Sequence, residues 1–120
     1  MGDEEKTDFD PTGAAGPTER PRRWRFRGKL IVTPAGGEAR EMYINRDNYV
    51  IGRDDGCSLI LDDDSASRFH ARLTEVGDGL CVEDLGSKNG TLLNGVAVRS
   101  ARLNSGDELV IGDTLLVFEK

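Results

Sequence analysis

From Lys29 onward the chain is a succession of short apolar runs, broken every few residues by glycine, proline, asparagine or aspartate, and no segment keeps a helical period. The pattern predicts strands at Lys29 to Thr33, Glu41 to Ile44, Tyr49 to Ile51, Ser58 to Leu61, Ala71 to Glu75, Leu80 to Asp84, Thr91 to Leu93, Val96 to Val98, Glu108 to Ile111 and Thr114 to Glu119. Pro34-Ala35-Gly36-Gly37, Gly77-Asp78-Gly79 and Gly112-Asp113 read as the turns between them. Asn94-Gly95 is the pair that a two-residue hairpin requires, because both central positions take positive φ. About ten or eleven short strands at close spacing predict an all-β fold, an antiparallel β-sandwich. In such a fold the loops gather at the two ends of the sheets, so loops distant in sequence converge.

Residues 1–21 break this pattern. They hold one aromatic, Phe9, and no aliphatic larger than alanine after Met1, with three prolines, three glycines and many charges. Such a segment buries too little apolar surface to offset the entropy of ordering, and it reads as a disordered acidic tail ahead of a domain spanning 22–120. Arg22-Arg23-Trp24-Arg25-Phe26-Arg27 then alternates basic and aromatic residues. Its simplest reading is a strand edge with aromatics packed inward and arginines in solvent; contact with a partner or membrane is the alternative.

Charge narrows the function classes. The formal net charge is −6, which argues against a general nucleic-acid binder, whose affinity comes from basic excess. The tail supplies −4 of it, from Asp3, Glu4, Glu5, Asp8, Asp10 and Glu19 against Lys6 and Arg20, leaving −2 for residues 22–120. No run approaches the roughly 18 apolar residues of a membrane span. The N-terminus lacks the basic start and apolar centre of a secretory signal, and Lys6 stands where a myristoylation start wants Ser or Thr, so the expected location is the cytoplasm. Cys57 and Cys81 have no metal-type spacing and read as free thiols of a reducing compartment.

Three polar clusters each follow a predicted strand: Gly52-Arg53, Ser67-Arg68-Phe69-His70, and Gly86-Ser87-Lys88-Asn89-Gly90-Thr91. Together they offer a guanidinium, hydroxyls, an ammonium, a side-chain amide and backbone N–H groups exposed by glycine. A phosphorylated side chain carries nearly two negative charges and three acceptor oxygens, and this is the donor set that holds one. The Gly86–Gly90 loop is also suited to forming a backbone anion nest. Each cluster has a plain structural reading as well. Arg53 can be a solvated strand-end charge, Asn89-Gly90 a turn, and Ser67 and His70 fold residues. Asp62-Asp63-Asp64 adds negative charge before the Ser67 loop; these carboxylates repel a phosphate or orient Arg53 or Arg68. They lack the alternating oxygen ligands of a calcium site, so no metal and no cofactor is expected.

In order and spacing the clusters resemble the forkhead-associated (FHA) family. Its marks are a Gly-Arg, a Ser-x-x-His, a Gly-Ser/Thr-x-Asn-Gly-Thr and a later Leu…Gly-Asp…Ile-Gly, matched here by Leu103, Gly106-Asp107 and Ile111-Gly112. The similarity covers about residues 28 to 120. It implies a phosphothreonine-binding β-sandwich serving a Ser/Thr kinase. By matching positions it implies phosphate contacts from Arg53 and Ser67, a loop lining from Ser87 and Lys88, and an Asn89 hydrogen bond to the peptide main chain. Arg68 and Asn94 sit where family members vary and are further candidate contacts, while Gly52, His70, Gly90 and Thr91 match fold residues.

Two rival readings stand beside this one. A hydrolase would use Ser67 and His70 as nucleophile and base, but the chain has one histidine and no Gly-x-Ser-x-Gly elbow. A scaffold or oligomerisation module would keep the fold and bind without phosphate. Thr7, followed by Asp8-Phe9-Asp10, is a candidate phosphosite whose modification would let the tail occupy its own domain, with Thr12 and Thr18 as competing sites.

Overall fold

The computed structural model describes residues 28–120. The acidic tail, Thr7 and the Arg22–Arg27 segment lie outside the described residues. Eleven strands occur among the described residues: β1 (Lys29–Thr33), β2 (Arg40–Tyr43), β3 (Tyr49–Gly52), β4 (Leu59–Ile60), β5 (Ala71–Val76), β6 (Gly79–Asp84), β7 (Thr91–Leu93), β8 (Val96–Val98), β9 (Ser100–Leu103), β10 (Glu108–Ile111) and β11 (Thr114–Glu119). They form a six-stranded sheet in the order β2-β1-β11-β10-β7-β8 and a five-stranded sheet in the order β9-β6-β5-β3-β4.

Alternation fixes the inner faces. In β1 Leu30 and Val32 are buried, and in β11 Thr114, Leu116 and Phe118. Facing them, Tyr49 and Ile51 of β3, Ala71 and Leu73 of β5, and Leu80 and Val82 of β6 complete one apolar core. Burying side chains of this size contributes about 1.5–3 kcal/mol each relative to exposure, which holds the two sheets together.

Two features differ from the sequence reading. Strand β9 was not among the predicted strands; its pattern of exposed and covered positions fully buries only Leu103. The pair β3–β4 runs parallel, Ile51 opposite Leu59 and Gly52 opposite Ile60, within an otherwise antiparallel arrangement. The cause is the intervening loop, which turns the chain back through Gly56 and Cys57 before β4 is laid down in the direction of β3. The Asn94-Gly95 turn takes φ of 50° and 85°, the positive pair that a tight hairpin needs.

This topology sets the place of the polar loops. Strand β3 ends, β5 begins, β6 ends and β7 begins at one end of the sandwich, so the β3–β4, β4–β5 and β6–β7 loops meet there. The β10–β11 turn at Gly112-Asp113 joins them.

Candidate functional site

Gly52 lets the Ser67 loop cross the end of β3. A Cβ at Gly52 would lie 2.2 Å from the Arg68 carbonyl oxygen, so only glycine permits this approach. Across the crossing, Arg53 N–H donates to the Ser67 carbonyl at 3.1 Å and Asp54 N–H to that of Arg68 at 3.1 Å. Arg53 is exposed, and its Nε–H donates to the Ala66 carbonyl at 2.8 Å. This bond aims the guanidinium and leaves its Nη groups without a hydrogen bond among the described residues.

Beneath the loops lies His70, fully buried. Its Nδ1 accepts from Ser67 N–H at 3.0 Å, which places the ring proton on Nε2, and Nε2–H donates to the Gly90 carbonyl at 2.8 Å. His70 therefore ties the Ser67 loop to the β6–β7 loop. It is not a base for Ser67, since both ring nitrogens are committed to backbone groups.

Ser67 bridges the same two loops from above. Its Oγ accepts from Lys88 N–H at 2.9 Å, so its own hydroxyl proton remains to be donated outward. Lys88 is exposed, and its Nζ makes no ion pair among the described residues. Asn89 Nδ2 donates to the Ser65 carbonyl at 2.9 Å, which holds the amide against the Ser67 loop with its Oδ1 left over. Arg53, Ser67, Lys88 and Asn89 are thus brought to one end of the sandwich by hydrogen bonds between loops.

Asp84, at the end of β6, organises the third loop and was not singled out in the sequence. Its Oδ2 accepts from Gly86 and Ser87 N–H, each at 3.0 Å, and its Oδ1 accepts the Ser87 hydroxyl at 2.5 Å and the Thr91 hydroxyl at 2.7 Å. Burial pushes this carboxyl up, but the Ser87 and Thr91 hydroxyls and the Ser87 N–H together hold it below its ordinary value. The spacing Asp-x-x-Ser, in which a carboxylate caps the turn that follows it, is the sequence signal that marks it.

This arrangement changes the expected parts played by the β6–β7 loop. The backbone N–H groups of Gly86 and Ser87 point to Asp84, that of Lys88 to Ser67, and that of Gly90 to Ser87 Oγ at 2.9 Å. The anion in the nest is the chain's own carboxylate. The Ser87 hydroxyl is likewise turned inward, donating to Asp84 and accepting from Gly90, and it shapes the loop rather than lining its outer surface.

Arg68 is exposed, lies 5.9 Å from the Phe69 ring centroid, and pairs with Asp54 at 3.3 Å. Asp63 orients neither Arg53 nor Arg68. Its Oδ1 accepts from Ser65 N–H at 2.9 Å, and its Oδ2 from Asp113 N–H at 2.8 Å and the Thr114 hydroxyl at 2.7 Å. It fastens the Ser67 loop to the β10–β11 turn, where a Cβ on Gly112 would lie 2.7 Å from it. Burial pushes the Asp63 carboxyl up, and hydrogen bonds from Thr114, Asp113 and Ser65 hold it below its ordinary value.

Asn94 stands apart. It lies at the far end of β7 from Thr91, and its amide is used on the start of β10, with Nδ2 donating to Asp107 at 3.1 Å and Oδ1 accepting from Glu108 N–H at 2.9 Å. Its amide serves the turn at the opposite end of the strand from the loops that carry Arg53, Ser67 and Lys88.

Among the described residues, no group of three or more His, Cys, Asp or Glu side chains is arranged to hold a metal ion. Among the described residues there is no helix long and apolar enough to cross a membrane.

The sequence pattern of the FHA domain matches residues 49–112. The FHA domain-containing protein FhaB of Mycobacterium tuberculosis is 36% identical over 92% of this chain and 79% of its own. The glycogen accumulation regulator GarA of Mycolicibacterium smegmatis is 38% identical over 74% of this chain and 57% of its own. Among solved structures, Mycobacterium tuberculosis EmbR in complex with a low-affinity phosphopeptide superposes with a TM-score of 0.71 and 28% identity, over 78% of this chain and 24% of that one. With the matched pattern falling on the strands and loops that build the site, this chain belongs to the FHA domain family.

Proposed function

We propose that this domain binds phosphothreonine on a protein partner marked by a Ser/Thr kinase, and does so without catalysis. The observation that carries the reading is the convergence at one loop edge of three outward donors: the Arg53 Nη groups, the Ser67 hydroxyl proton and the Lys88 ammonium. A guanidinium with its Nε already fixed loses little freedom when it grips a phosphate, and charge-assisted bonds of this kind are among the strongest available. Asn89, held against Ser65, is placed to hydrogen-bond the main chain beside the phosphorylated residue. The phosphopeptide complex of EmbR, a structural neighbour, supports the ligand class.

Binding of a preformed site to one phosphate and a few flanking residues corresponds to micromolar affinity, about −8 kcal/mol. Against a Ser67–His70 hydrolase stands the use of both His70 ring nitrogens on the backbone of Ser67 and Gly90. The free thiols of Cys57 and Cys81 fit a cytoplasmic setting. Calorimetric titration with a degenerate phosphothreonine peptide pool and its unphosphorylated twin tests the proposal. Saturable binding of the phosphorylated pool alone is expected; equal binding of both would assign the domain to phosphate-independent scaffolding.

A further inference from the structure

Ser65, Ala66 and Ser67 use their backbone in two directions. Their N–H groups are held by Asp63 and His70: Ser65 N–H donates to Asp63 Oδ1 at 2.9 Å, Ala66 N–H to the Asp63 carbonyl at 3.0 Å, and Ser67 N–H to His70 Nδ1 at 3.0 Å. Their carbonyls serve Asn89 and Arg53. That of Ser65 accepts from Asn89 Nδ2 at 2.9 Å, that of Ala66 from Arg53 Nε at 2.8 Å, and that of Ser67 from Arg53 N–H at 3.1 Å. Among the described residues Arg53 Nε and Asn89 Nδ2 have no other acceptor, so the places of two neighbouring carbonyls decide where the guanidinium and the amide point.

What fixes those carbonyls lies one step farther back. They sit on the turn from Asp63 to Ala66, and the Asp63 side chain reaches across to the β10–β11 turn. Its Oδ2 accepts from Asp113 N–H at 2.8 Å and from the hydroxyl of buried Thr114 at 2.7 Å. The two turns are also close-packed. A Cβ on Gly112 would lie 2.7 Å from Asp63 Oδ2 and 2.9 Å from Ala66 N, and the Ser65 hydroxyl donates to Asp113 at 3.2 Å. A carboxylate that takes three donors from two turns makes a stiff joint, since hydrogen bonds to a charged acceptor are about twice as strong as neutral ones.

We propose that Asp63 is a positioning residue of the site and that through it the β10–β11 turn sets where Arg53 and Asn89 present their donors, an inference that rests on the reading of those two side chains as ligand contacts. Asp63 acts by keeping the Ser65 and Ala66 carbonyls in place. A donor fixed before the ligand arrives loses less freedom on binding, so loosening this joint weakens binding although every contact residue remains. The Thr114 hydroxyl is then felt at the Arg53 guanidinium, through the Asp63 carboxylate and the Ala66 carbonyl.

That hydroxyl can be removed or kept without altering the loops. Thr114→Val preserves the shape and loses the bond to Asp63; Thr114→Ser preserves the bond and loses a methyl group. In the ligand-free protein the Arg53 Nε–H, followed by NMR, should exchange with water several-fold faster in Thr114→Val and at the wild-type rate in Thr114→Ser. The Kd for a phosphothreonine peptide should weaken several-fold in Thr114→Val and about tenfold in Asp63→Asn. It should stay unchanged in Thr114→Ser, whatever stability that variant loses in urea. A purely structural role would instead make exchange and affinity follow stability. Wild-type exchange or wild-type affinity in Thr114→Val, or equal effects from the two Thr114 substitutions, would overturn the proposal, and this pair decides it even if Asp63→Asn does not fold. Failure of the wild-type domain to bind any phosphopeptide would refute the ligand reading alone; the Nε–H exchange in the free protein would still decide whether Asp63 positions Arg53.

Discussion

The backbone N–H of Lys88 donates to the hydroxyl oxygen of Ser67 at 2.9 Å, which joins two loops 21 residues apart and fixes where both residues present their remaining donors. One bond therefore couples the shape of the site to its chemistry. Ser67→Ala removes the acceptor of the Lys88 N–H and a donor to phosphate at once. The expected loss is about 1.5–3 kcal/mol, roughly ten- to a hundredfold in Kd for a phosphothreonine peptide. Calorimetry gives the affinity, and amide exchange should show Lys88 losing protection while Leu109 and Leu116 keep theirs.

Asn94 is the contrasting case. Its amide spans to Asp107 and Glu108 at the far end of β7, so Asn94→Ala should leave phosphopeptide affinity unchanged. The same variant loses two hydrogen bonds and puts alanine at a φ of 50°, and its stability should fall by about 1–2 kcal/mol in urea unfolding.

Much of this was legible in the chain, and the exceptions have physical causes. Strands such as Lys29–Thr33 and Thr114–Glu119 are readable because their period of two matches one buried and one outer face. Asn94-Gly95 is readable because few residue pairs accept positive φ twice. Strand β9 escapes notice since only Leu103 of its four residues is fully buried. The parallel pairing of β4 with β3 depends on the path of a loop, which local pattern does not encode. Within the site, the residue types of Arg53, Ser67 and Lys88 are visible in sequence, but the inward turn of Ser87 follows from Asp84, whose four bonds exist only once the loop has closed.

Asp84 also predicts an acid limit. Its folded-state carboxyl is depressed below the ordinary 3.8, and a depressed carboxyl contributes stability that is present above the unfolded value and lost as pH falls through the folded one. Asp63 acts in the same sense. Stability in urea should therefore decline as pH drops below about 4–5. In Asp84→Asn the decline should be shallower, from a lower starting stability, because one of the two carboxylates no longer titrates.

The proposed function gives Thr7 a consequence. About fifteen residues separate it from Arg22, an extended reach of about 50 Å. A tethered phosphothreonine at an effective concentration of about millimolar would outcompete a micromolar external peptide. Phosphorylation at Thr7 should weaken apparent peptide affinity by roughly a hundredfold or more, and Thr7→Ala should abolish the effect; unchanged affinity after stoichiometric phosphorylation would rule out self-occupation.

Amide shift mapping with a phosphothreonine peptide tests the site most directly. The predicted result is a set of large shifts centred on Arg53, Ser67, Lys88 and Asn89, with Asn94 unmoved, absent for the unphosphorylated peptide and lost in Arg53→Ala. Equal shifts from the unphosphorylated peptide, or a footprint centred on a sheet face away from these loops, would contradict it.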